Sequence, residues 1–226
     1  MSVSASQQRW TAVDQYLSER LVPPDPALDG ALRDSEAAGL PAIQVTPTFG
    51  KMLHLLARAQ GARRILEVGT LGGYSTIWLA RALVPGGRLV TLEAEPRHAD
   101  VARANLQRAG LDDVVDVRVG RALDTLPQVQ AEGGGPFDVI FIDADKQNNP
   151  EYFQWALKLA RVGSLIIIDN VVRDGTVIDA DKNDPSIVGV RRLNEMLGTE
   201  PRVSATALQT VGSKGYDGFA LAVVLR

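Results

Sequence analysis

Ile65-Leu66-Glu67-Val68-Gly69-Thr70-Leu71-Gly72-Gly73-Tyr74-Ser75 is the stretch on which the rest of the chain is organised. It opens as a short apolar run behind Arg63 and Arg64 and closes in the glycines at 69, 72 and 73. A helical pattern follows over residues 76–83. That order reads as a buried strand, a tight turn and a helix N-terminus. Glycine serves where the backbone needs positive φ or where a ligand comes close. In an α/β sheet such a turn is where nucleotide-like ligands bind, although a plain strand-to-helix turn has the same spelling.

The turn does not match G-x-G-x-x-G. Counting from Gly69, Leu71 takes the third position and Tyr74 the sixth. A dinucleotide pyrophosphate needs close backbone approach at that point. Glu67, at the strand end, would repel phosphate and attract a cation. Both features favour a nucleoside ligand without phosphates, and S-adenosylmethionine fits through its adenosine, ammonium and sulfonium groups.

The chain has 226 residues, enough for one domain with its own core. Its net charge of −3 provides no basic excess to hold a nucleic-acid backbone, so a polynucleotide substrate is disfavoured. With no cysteine, disulfides, thiolate nucleophiles and Cys-ligated metals are excluded. Any metal must sit on oxygen or on the two histidines. Residues 1–8 are polar and lack the apolar centre of a signal peptide. No run of ~18 apolar residues is present to span a membrane. The expectation is a cytoplasmic protein with no membrane partner.

Helical spacing of Trp10, Val13, Tyr16, Leu17 and Leu21 predicts an amphipathic helix over residues 9–21, packed on the domain or meeting a second subunit. Helices are also expected at 27–38 and 48–60, with a loop at 39–47 able to close over a ligand. From residue 62 the pattern alternates. Strands are expected at 63–69, 88–94, 114–119, 137–143 and 164–169, and helices at 74–83, 97–109, from 122, at 152–160 and at 186–197. Strands at 203–209 and 218–225 close the chain as an antiparallel hairpin through residues 210–217. Alternating strands and helices mean a mainly parallel sheet. The runs Val139-Ile140-Phe141-Ile142 and Leu165-Ile166-Ile167-Ile168 suit strands covered on both faces. The expected organisation is one domain over 1–226, with N-terminal helices in 1–60 and an α/β core in 61–226.

The strand ends carry the chemistry. In open α/β sheets, ligands bind beyond the carboxyl ends of the strands. Here those ends hold Glu67, Glu93, Asp143 with Asp145, and Asp169 with Asn170. Glu93 stands where an acidic residue accepts hydrogen bonds from ribose hydroxyls. Asp143 and Asp169-Asn170 end consecutive strands. On neighbouring strands their tips would lie ~5 Å apart. Two carboxylates and an amide oxygen make a hard-cation site, for Mg²⁺ foremost and also for Ca²⁺ or Mn²⁺. Lys146, three residues past Asp143, would lose its proton more readily beside a divalent cation and could then serve as a general base.

Taken together, the stretch at 65–75, Asp143-Ala144-Asp145-Lys146 and Asp169-Asn170 resemble the cation-dependent O-methyltransferases, the family of caffeoyl-CoA and catechol O-methyltransferases. The resemblance spans roughly residues 40–226. It implies a seven-stranded Rossmann-like methyltransferase fold, mostly parallel with an antiparallel last strand and helices on both faces. By resemblance, S-adenosylmethionine would be held by Val45, Glu67, Gly69, Thr70, Ser75, Glu93, Ala122 and Asp143. The metal ligands would be Asp143, Asp169 and Asn170, and the catalytic base Lys146. The acceptor would be a small aromatic hydroxyl, of catechol type, and the enzyme a homodimer.

Two rivals share the sheet. An NAD-dependent dehydrogenase would also use Glu93, but Leu71 and Glu67 count against it. A non-catalytic S-adenosylmethionine-binding module has no need of Lys146 beside a metal cluster. His54 and His98 receive no role. Arg173 and Tyr216 are as readily solvated side chains as borders of the substrate pocket.

Overall fold

A computed structural model describes residues 4–226. The part of the N-terminal reading that falls on residues 1–3 lies outside the described residues. In chain order the elements are α1 Ala5–Leu21, α2 Pro26–Ala37, α3 Pro47–Ala59, β1 Arg64–Val68, α4 Tyr74–Ala80, β2 Arg88–Glu93, α5 Pro96–Arg108, β3 Val115–Val119, α6 Ala122–Ala131 and β4 Phe137–Ile142. They continue with α7 Asn149–Leu159, β5 Ala160–Asp169, α8 Pro185–Thr199, β6 Val203–Gly212 and β7 Gly215–Val224. Short 3-10 turns lie at Lys146–Asn148 and Thr176–Ile178.

The seven strands form one sheet in the order β3-β2-β1-β4-β5-β7-β6. β7 runs antiparallel to both β5 and β6, as the closing hairpin leads one to expect. The hairpin is longer than its pattern suggested, since pairing continues to Gly212 opposite Gly215. From β1 the chain winds outward through β2 and β3, then returns to β4 on the other side of β1. That reversal opens a crevice at the carboxyl ends of β1 and β4, the usual ligand position in such sheets.

Alternation along the strands sends successive side chains to opposite faces. Ile65, Leu89, Val139, Phe141 and Ile167 pack against Leu53, Ala57, Ile77 and Leu106, from α3, α4 and α5. Leu66, Ile140, Ile142, Ile166 and Ile168 pack against Leu126, Phe153, Val190 and Leu193, from α6, α7 and α8. The apolar runs in β4 and β5 are continuous because both sides are covered.

Several helices start earlier than the apolar spacing indicates, because polar caps set their ends. Thr46 caps α3, accepting from Phe49 N at 3.3 Å, and Pro47 follows as the first helical residue. Asp25 does the same for α2, accepting from Ala27 N and Leu28 N. A proline with its preset φ suits that first position. α1 begins at Ala5, capped by Ser4, rather than at residue 9. Of its apolar stripe, Trp10 is half-buried and the rest faces outward. No residue of α1 is buried, and Val13, Tyr16, Leu17 and Leu21 are exposed. No helix among the described residues is long and apolar enough to cross a membrane.

Candidate active site

The turn after β1 depends on left-handed backbone. Gly69 has φ +102°, and a Cβ placed there would lie 2.1 Å from the Asp143 carbonyl oxygen. Any side chain would force β1 and β4 apart at the mouth of the crevice. Leu71 holds φ +51°, where a dinucleotide fingerprint would have glycine. Two carboxylates hold the turn in shape. Glu93 Oε2 accepts from Thr70 N at 3.2 Å and Leu71 N at 2.7 Å, while Oε1 accepts from Glu95 N at 3.0 Å. Glu67 accepts from Ser75 Oγ at 2.6 Å, Thr76 Oγ1 at 2.5 Å and Thr91 Oγ1 at 2.7 Å. Burial raises the Glu67 carboxyl to about 7 despite these three donors.

The second group of residues stands at the tips of β4 and β5. Ile142 pairs with Ile168 in parallel register, so Asp143 and Asp169 follow on adjacent strands, roughly 5 Å apart. Burial first, and then the charge of Asp143, raises Asp169 to about 7. Lys146 Nζ lies 2.6 Å from Asp143 Oδ1. Asn170 takes φ +59°, and its Nδ2 donates to Asp217 Oδ2 at 3.1 Å. Its Oδ1 accepts no hydrogen bond among the described residues. Nor does any group of three His, Cys, Asp or Glu among them converge on a metal position. The Asn170 amide oxygen is a further oxygen donor beside the two carboxylates. Two carboxylates with an unused amide oxygen are the donor types that fit a hard divalent cation, and Lys146 is the cation now paired with one of them.

A cleft of about 710 Å³ joins the two groups. Val45, Gly69, Thr70, Ser75, Glu93 and Ala122 line it, and so do Asp143, Lys146 and Asn170. Two expected residues are placed differently. Glu67 has no exposed surface and meets hydroxyl groups instead of the cleft, because Ser75 and Thr76 turn inward to satisfy it. Its observed part is to fix the turn. Asp169 is half-buried, and of the two neighbouring residues Asn170 lines the cleft.

Other lining residues carried little or no signal in the sequence. His98, given no role, lines the cleft with Nδ1 at 3.5 Å from Glu93 Oε1. Arg173 also lines it, whereas the Tyr216 hydroxyl is taken up by Gln209. Tyr152 reaches the wall and donates to Asp145 Oδ1 at 2.5 Å. Asn105 Nδ2 donates to the Gly72 carbonyl at 2.8 Å from inside α5. The loop before α3 brings Ile43, Gln44 and Val45 to the cleft. Lys214 Nζ, donating to the Ala42 carbonyl at 2.5 Å, ties that loop to the β6–β7 hairpin. Asp14 adds a second tie, accepting from Thr48 Oγ1 at 3.1 Å and Ser213 Oγ at 2.7 Å. None of these partners could be found by spacing along the chain.

Residues 26–223 match the profile of a family described as O-methyltransferase. A catechol O-methyltransferase of Niastella koreensis is 55% identical, over 96% of this chain and 98% of its own length. One of Mycobacterium tuberculosis is 58% identical, over 94% of each. The solved O-methyltransferase of Bacillus cereus, in complex with S-adenosylhomocysteine, is 64% identical and superposes with a TM-score of 0.95, covering 96% of this chain and 99% of that one.

Proposed function

Since this chain belongs to the O-methyltransferase family and transfers a methyl group from S-adenosylmethionine to oxygen, we propose that its acceptor is a small aromatic hydroxyl of catechol type. A divalent cation, Mg²⁺ foremost, is part of the proposal, with Asp143, Asp169 and Asn170 as its ligands. The observation that carries it is one cleft lined both by the glycine turn and by Asp143, Lys146 and Asn170. The names of the two catechol O-methyltransferases support the acceptor class.

The cofactor would lie along Gly69, Thr70, Ser75 and Ala122, with Val45 over it and Glu93 beside the ribose. Glu67 would keep Ser75 in place from behind. The phenol of tyrosine, with a pKa of ~10, shows how little phenolate an aromatic hydroxyl yields at neutral pH. A bound divalent cation would favour the phenolate by its charge. Lys146 is assigned the phenolic proton, which its amine accepts after the ammonium has left its ion pair with Asp143 and given its own proton to solvent. The acceptor oxygen then forms the new O–CH₃ bond as the S–CH₃ bond breaks, and the sulfonium leaves as a neutral thioether.

We also assign the exposed stripe Val13, Tyr16, Leu17 and Leu21 to a homodimer contact, and place the enzyme in the cytoplasm. The deciding experiment is methyl transfer from S-adenosylmethionine to catechol with Mg²⁺ and with EDTA. Product formed only with the cation supports the reading. Equal activity in EDTA removes the metal, and no product from any vicinal diol removes the acceptor class.

A further inference from the structure

Asp217 precedes β7's close packing on β5 and faces the turn that follows Asn170. Its Oδ1 accepts from Val172 N at 3.0 Å, Arg173 N at 2.8 Å and Gly218 N at 2.9 Å. That leaves Oδ2 for Asn170 Nδ2 at 3.1 Å, with Arg173 Nη1 at 3.9 Å on the same oxygen. A carboxylate accepts and does not donate, so the arm of the Asn170 amide that meets it must be the NH₂. The oxygen is then on the opposite arm, and Asn170 lines the cleft. An unheld amide would turn either way, and with its nitrogen forward it would repel a cation. The backbone is fixed as well: Asn170, Arg173 and Asp174 hold φ of +59°, +57° and +54° in the turn that Asp217 gathers.

We propose that Asp217 is a positioning residue that orients the Asn170 amide so that its oxygen, and not its nitrogen, faces the cation site. The proposal rests on the cation reading above. Carboxylates that orient metal ligands typically change affinity by about 10- to 100-fold when removed.

The test is Mn²⁺ binding to the full chain, followed by electron paramagnetic resonance, with S-adenosylhomocysteine affinity measured by calorimetry without metal. D217N is expected to weaken Mn²⁺ by about 10-fold or more and to leave S-adenosylhomocysteine affinity within about twofold. In an N170A background, D217N should add less than about twofold, because no amide remains to be oriented. Wild-type Mn²⁺ affinity in D217N overturns the proposal. So does an equal loss in both backgrounds, which would mark a plain charge effect. Wild-type protein that binds no Mn²⁺ removes the cation site and the proposal with it. Should D217N not fold, D217E keeps an acceptor for the turn but moves it off the amide. Undiminished Mn²⁺ affinity in D217E overturns the proposal.

Discussion

Lys146 Nζ stands 2.6 Å from Asp143 Oδ1, so the assigned base is the ion-pair partner of an assigned cation ligand. Both side chains are largely enclosed, at 10% and 22% exposure. A cation arriving at Asp143 competes with the ammonium, and the two roles are coupled through one carboxylate. K146A is therefore expected to lower kcat by about 10²- to 10⁴-fold, the usual range for a lost general base. S-adenosylhomocysteine affinity should be unchanged, and the Mg²⁺ requirement no greater than in the wild type. Steady-state kinetics and calorimetry check this, and an unchanged kcat would remove the base assignment.

Removing the cation should act differently from removing the base. EDTA is expected to abolish turnover of wild-type enzyme and added Mg²⁺ to restore it. In D169A, Mg²⁺ at the wild-type restoring concentration should fail to do so, since one of two carboxylates is gone. A chelator titration of initial rates is the measurement. Full activity of either protein in EDTA would contradict the cation assignment.

Glu67 makes stability depend on pH in a particular direction. Its carboxyl is raised to about 7 in the fold, from an ordinary value near 4.5. The folded protein thus binds the proton more tightly than the unfolded chain. The stabilisation is complete below about pH 4.5 and disappears as pH rises through about 7. Its size is on the order of 3 kcal/mol. E67Q should flatten the part of the Tm profile that falls between these values. Thermal melts of both proteins in EDTA across this range test it. Parallel profiles would show that Glu67 ionises normally.

Gly69 tests the closeness of β1 and β4. G69A places a methyl group against the Asp143 carbonyl at positive φ. A cost of roughly 3 kcal/mol is expected from strain and displacement together. That corresponds to a Tm lower by roughly 6–12 °C for a chain of this size. S-adenosylhomocysteine affinity should fall with it. A variant with wild-type Tm would mean that the tips separate freely.

The dimer assignment has its own readout. Y16E combined with L17E puts two charges into the exposed stripe of α1. The expected result is a monomer by sedimentation velocity, with the fold retained, since no residue of α1 is buried. Wild-type protein that sediments as a monomer would remove the assignment.

Much of this molecule was legible along the chain. The succession of strands and helices needed only the alternation of apolar runs with helical spacing, because a strand covered on both faces must be apolar throughout, whereas the order of the strands in the sheet came from the structure. Asp143 and Asn170 stood out because an oxygen-bearing side chain ends each apolar run at the edge where parallel strands present ligands, and Lys146 because it lies three residues past Asp143. Helix starts were misjudged where a cap such as Thr46 or Ser4, and not the apolar spacing, set the boundary. The spacing in α1 makes it amphipathic, but hydrophobic spacing does not distinguish a stripe that meets its own domain from one that meets another surface.

The chain's own order of residues determined the sheet, the glycine turn and the acidic strand ends, since those follow from local periodicity and backbone preference. Folding alone decided which side chains satisfy which. Glu67 was drawn away from the cleft by Ser75, Thr76 and Thr91. Asn170 was oriented by Asp217, 47 residues later. Buried polar groups must find partners wherever the packing offers them, and sequence separation carries no record of that choice.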